Sequence, residues 1–86
     1  MEILRERLKS ERERYSQGKR KVISKIVISE LIGLPTSAIG QYERGERLPS
    51  AESLAKISQF YGCSVDYLLG LTNERKGMSA SPTRNW

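Results

Sequence analysis

The sequence predicts an all-α domain of five short helices, and three observations carry the prediction. Apolar side chains recur at three- and four-residue spacing along several short segments, the period of a helix buried on one side. Serines stand where such segments open (Ser24, Ser50, Ser64), and glycines stand where they close (Gly33, Gly45, Gly62, Gly70). The chain has 86 residues, enough for one compact domain and a tail but not for two domains.

From Glu2 to about Arg14, charged residues with good helix propensity carry one narrow apolar stripe, Leu4, Leu8 and Tyr15. Ser16-Gln17-Gly18-Lys19-Arg20-Lys21 then reads as an exposed basic loop. Ser24 caps the second helix, with Ile28 and Ile32 on its inner face, Ile23 able to staple its start and Gly33 to stop it. Taken residue by residue, Ile26-Val27-Ile28 would favour a strand, because β-branched side chains are stiff.

Pro35 suits the first turn of a third helix over Thr36 to Glu43, with Ile39 inward and Gly45 as its stop. Gly40 in its middle weakens that helix by roughly 1 kcal/mol against alanine, which implies close approach to something, such as another backbone. Ser50 caps a fourth helix on Leu54, Ile57 and Tyr61, closed by Gly62. Ser64 caps a last one holding Val65, Leu68 and Leu69 before Gly70. The apolar pattern ends there. The domain is therefore placed at residues 1–71 and a polar tail at 72–86.

Composition narrows the function classes. Lys and Arg number 15 against 10 acidic residues, a net charge of +5 that suits a polyanion: nucleic acid or an acidic membrane surface. A small core leaves little room for an enclosed active site. There is no histidine and one cysteine, Cys63, so the commonest general base, a thiolate metal cluster and an internal disulfide are all missing. No enzyme, metal or cofactor is expected. Nothing near Met1 resembles a signal peptide and no apolar stretch is long enough to span a membrane, so the cytoplasm is the expected compartment.

Two short helices joined through Gly33-Leu34-Pro35 make a helix-turn-helix at about 24–44. Within and beyond it, Ile39-Gly40-Gln41-Tyr42-Glu43-Arg44-Gly45 followed by Leu48-Pro49-Ser50, then Tyr61-Gly62-Cys63-Ser64-Val65-Asp66-Tyr67-Leu68-Leu69-Gly70, resemble the Cro/CI-type (XRE) family of phage and bacterial regulators. The likeness covers about residues 3–71. It implies the family's five-helix, lambda-repressor-like bundle, with the helix at about 35–43 lying in the major groove of double-stranded DNA.

By position, the resemblance assigns Thr36, Ser37 and Gln41 to base edges, with Gln41 able to bond adenine bidentately. It assigns Lys25 and Arg44 to phosphates, and pairs Arg12 with Glu43 as a structural ion pair. One reader helix covers few base pairs, so a homodimer on an inverted-repeat operator is implied. Val65, Tyr67, Leu68 and Leu71 are its candidate dimer surface, although Leu68 suits the core equally.

Three features depart from the family pattern. The connection between the first two helices is about seven residues longer, and Lys19, Arg20 and Lys21 there are either extra phosphate ligands or a mobile basic loop. Ile26 and Val27 replace residues commonly charged, and would pack on the inserted loop, a longer first helix or a partner chain. Cys63 takes an apolar position and reads as a buried structural thiol. The function expected is transcriptional regulation, as a repressor. The alternative is an antitoxin-like or adaptor protein whose main role is binding a protein partner.

Overall fold

The computed structural model describes residues 2–76. Among them are five helices and no strand: α1 (Glu2–Lys19), α2 (Lys25–Ile32), α3 (Ala38–Arg44), α4 (Ala51–Tyr61) and α5 (Val65–Leu69). Three serine caps act as the sequence predicts. The side chains of Ser24, Ser50 and Ser64 accept from the backbone N–H of Val27, Ser53 and Tyr67.

The core gathers one stripe from each helix. Leu4 and Leu8, Ile28, Ile39, Leu54 and Ile57, and Leu68 are all buried, with Tyr42, Tyr61 and Cys63 closing the cluster. Segment α2 is helical despite its β-branched run, because only a helix puts Ile28 and Ser29 together into this core while Ser24 caps it. Burial pushes the Cys63 thiol up to about 11, so the inert, structural reading of this residue stands.

The structure corrects the sequence reading in two places. Helix α1 does not stop near Arg14 but runs on through Gly18 to Lys19. Its extra turn is anchored by Tyr15, whose ring lies 4.7 Å from that of Phe60 on α4. The expected loop therefore shrinks to five residues, 20–24. Arg20 closes the helix in a left-handed conformation (φ 60°), and Ile23 donates its N–H to Ser16 Oγ. Helix α3 starts two residues later than expected, leaving Thr36 and Ser37 in the turn before it.

The chain just beyond α5 also touches the bundle. Residues 72–76 fold back on the bundle, while 77–86, including Trp86, lie outside the described residues. Arg7 of α1 donates to the carbonyls of Tyr67 and Thr72 and to Asn73 Oδ1, and its guanidinium stacks 4.2 Å from the Tyr67 ring centre. Arg75 grips Glu11 through two hydrogen bonds of 2.8 and 2.6 Å and also donates to the carbonyl of Tyr61. The Glu11 side chain is only 3% exposed. It sits in the stripe Leu4, Leu8, Glu11, Tyr15, an acidic residue on an apolar face that the tail must neutralise.

Removing Arg75 leaves that carboxylate buried and unpaired. Arg75→Ala is expected to lower unfolding free energy by about 3 kcal/mol. Combining it with Glu11→Leu should restore most of the loss. Urea denaturation of the single and double variants checks both.

Candidate nucleic-acid interface

Helices α2 and α3 are set against each other by a turn and one buried hydroxyl. Gly33 takes φ +94° and donates its N–H back to Ser29 and Glu30, a conformation that a side chain would strain. Ser29 is fully buried; its Oγ donates to the Lys25 carbonyl and accepts from the N–H of Ile39. That second bond caps α3 from ten residues away. Ser37, at the N-cap position, makes no side-chain cap bond. Sequence reading did not single out Ser29; a serine between Ile28 and the apolar end of α2 is the signal it offered.

The far end of α3 is held by charge. Arg12 of α1 donates from Nε and Nη2 to the two carboxylate oxygens of Glu43, at 2.8 and 3.0 Å. Glu43 is 5% exposed at its side chain, and its hydrogen bonds hold the Arg12 guanidinium above its ordinary pKa. Lys25 Nζ approaches the same carboxylate at 4.0 Å. Glu43 is thereby turned inward, away from any anion that α3 would meet.

On the outer side, Lys25, Thr36, Ser37, Gly40 and Arg44 line one open groove of about 520 Å³, together with Val22 and Ile26. Thr36 and Ser37 are exposed; Gln41, half-buried, stands four residues beyond Ser37 on the same face of the helix. The groove thus brings together four of the eight residues assigned to bases and phosphates, Thr36, Ser37, Lys25 and Arg44, while Gln41 is not among its lining. Lys19 stands apart: its ammonium lies 5.5 Å from the Tyr15 ring, in a depression shared with Glu11 and Arg75. Arg20 and Lys21 are exposed and lead directly into Val22.

Arg44 folds back along α3 over Gly40. A Cβ at position 40 would come 2.9 Å from Arg44 Nη1, so the close approach that Gly40 permits is to this guanidinium, not to a backbone. Arg44 also donates to both carboxylate oxygens of Glu46, at 2.8 and 3.2 Å, which holds the Glu46 carboxyl below the usual carboxylate range. Both partners are about half exposed, so solvent screens the pair and Arg44 exchanges partners at little cost. Sequence reading missed Glu46, whose only signal is its spacing of two from Arg44.

Of the candidate dimer residues, Leu68 is fully buried and belongs to the core. Tyr67 is covered on one face by Arg7, and Val65 packs partly into the core. Leu71 is 72% exposed. Among the described residues no group of His, Cys, Asp or Glu could hold a metal ion, and no helix is long and apolar enough to cross a membrane.

Gly40→Ala separates fold from site. The added methyl meets only the end of a flexible side chain, so the variant is expected to gain up to about 1 kcal/mol in stability. It should lose affinity for duplex DNA as Arg44 is displaced. Thermal unfolding and a DNA titration measure the two effects.

Comparisons with known proteins bear on the family. The helix-turn-helix family (HTH_3) matches residues 19–68. An uncharacterized HTH-type transcriptional regulator, YobD, of Bacillus subtilis (strain 168) is 38% identical over 47 residues, which are 55% of this chain and 42% of that protein. Repressor protein C2 of Salmonella phage P22 is 32% identical over 68 residues, 79% of this chain and 29% of the phage protein. The chain thus spans less than half the length of either relative. No solved structure matches it. The match of more than half the chain, over α2 to α5, settles the family: this is a helix-turn-helix protein of the Cro/CI (XRE) type, a class of DNA-binding regulators and not of enzymes.

Proposed function

We propose that the chain binds double-stranded DNA sequence-specifically as a transcriptional regulator, and that it acts as a repressor. One observation carries the reading: Thr36 and Ser37, in the turn that leads into α3, share an exposed groove with the cations Lys25 and Arg44. Polar side chains beside positive charge are what base edges flanked by phosphates require. The name of the phage P22 relative, a repressor, supports the direction of regulation.

In this reading α3 enters the major groove from its N-terminal end. Thr36 and Ser37 bond base edges, and Gln41 makes a bidentate contact with adenine. Lys25 and Arg44 take phosphates, with Arg44 released from Glu46, and Arg20 and Lys21 reach the adjoining backbone. Lys19 adds only to the long-range field, because its ammonium sits with Tyr15. Two copies bind half-sites about 34 Å apart as a homodimer in the cytoplasm, with Leu71, Val65 and the free face of Tyr67 as the joining surface.

The test is selection of bound duplexes from a random pool at two salt concentrations. An enriched inverted repeat with half-sites one turn apart is the expected result. Weak, salt-sensitive binding with no enriched motif would overturn it and favour an adaptor that works through a protein partner. On the selected site, Gln41→Ala should relax preference at one position by about 1–3 kcal/mol. Arg44→Ala should weaken binding to all sequences and reduce the salt slope by about one unit; an unchanged slope removes Arg44 from the phosphate ligands.

A further inference from the structure

The groove beside α3 has an apolar wall that the polar reading leaves unused. Val22 is 90% exposed and Ile26 is 56% exposed, yet both line the same groove as Thr36, Ser37 and Gly40. Their exposure is built in by the backbone on either side. Ile23 is buried and its N–H is held by Ser16 Oγ at 3.1 Å, so Val22 cannot turn into the core in its place. Ser24 caps α2, which fixes Ile26 in its first turn, one residue from Lys25. Both side chains are β-branched and have few rotamers to lose on contact.

We propose that Val22 and Ile26 form a specificity-determining contact that takes the C5-methyl group of a thymine in the bound DNA. The inference rests on the reading of α3 as the base reader and adds to it a contact made by α2 and its leading loop. The surroundings select the occupant. Lys25 and Arg44 line the groove and Arg20 and Lys21 precede Val22, so the occupant carries negative charge on its flanks and an apolar group at its centre. In the major groove of duplex DNA the one apolar group on a base edge is the thymine methyl. Thr36, Ser37 and Gln41 are hydrogen-bonding groups, and Gln41 suits adenine. Beyond the single methyl of Thr36, the wall of Val22 and Ile26 supplies an apolar surface with a direct preference for thymine.

The experiment uses the duplex selected from the random pool, with each thymine replaced in turn by deoxyuridine, which removes only the C5-methyl. Affinities are measured for the unaltered protein and for the double variant Val22→Ser, Ile26→Ser. Both positions are exposed, and urea denaturation verifies that the variant folds. Loss of one methyl from an apolar contact is worth about fourfold in affinity. At one thymine per half-site the unaltered protein should therefore bind the deoxyuridine duplex about fourfold more weakly, and the double variant should bind both duplexes equally. If the fourfold difference persists in the variant, or no thymine is sensitive, the contact is overturned while the reader assignment stands. If no duplex is enriched by the unaltered protein, both fall. Loss of binding in the variant without any dependence on the thymine methyl would also overturn it.

Discussion

The pairing of Arg12 with Glu43 fixes the outer end of α3, and the usefulness of the exposed groove depends on it. Helix α3 is only seven residues long, too short to be stable by its own hydrogen bonds. Its inner face is held by Ile39 and Tyr42, and its N-terminus is capped from α2 by Ser29. Without a tie at the other end it would be free to tilt. A bidentate guanidinium–carboxylate pair supplies direction as well as energy, because the planar fork accepts its partner in few orientations. The pair also turns a negative charge inward. An acidic side chain on the outer face of α3 would repel a polyanion, whereas Glu43 is neutralised before any ligand arrives.

Helix α1 serves as the spine for both ends of the molecule. Glu11 and Arg12 are adjacent, yet their side chains engage partners 64 and 31 residues further along the chain, Arg75 and Glu43. One residue's rotation about a helix, roughly 100°, is enough to send neighbouring charges to different faces. The bundle is small and its apolar core modest, so these two pairs do what a larger core would do without charge. Buried pairs of this kind define geometry more than they add stability. That suits a surface whose role is to present a few side chains in fixed positions.

Much of the candidate site was legible in the sequence. The serine and glycine punctuation marked both ends of α2, α4 and α5 and the close of α3, because capping and left-handed closure are local chemistry settled within a few residues. The Tyr-Glu-Arg-Gly run placed Thr36, Ser37, Gln41, Lys25 and Arg44 by resemblance. Less legible were contacts whose two halves lie far apart in the chain. Arg75 looked like one more charge in a polar tail, and Ser29 like a polar residue on an apolar helix; only their partners give them roles. Gly18 and the basic residues after it looked like a loop, whereas the Tyr15–Phe60 contact carries α1 through them.

What the sequence by itself determined is the number and order of the helices, the turn between α2 and α3, and the residue types available to meet an anion. These follow from periodicity, caps and backbone preferences, which act over less than about two turns of chain. What only the tertiary structure decided is which surface those residues share. Val22 and Ile26 join Thr36 and Ser37 in one groove because Ser16 and Ser24 hold the intervening backbone. Leu68 goes to the core while Leu71 stays outside, and Arg44 lies along α3 because position 40 has no side chain. Each is a matter of packing between elements, and packing depends on where other helices come to rest, a quantity that no local pattern contains.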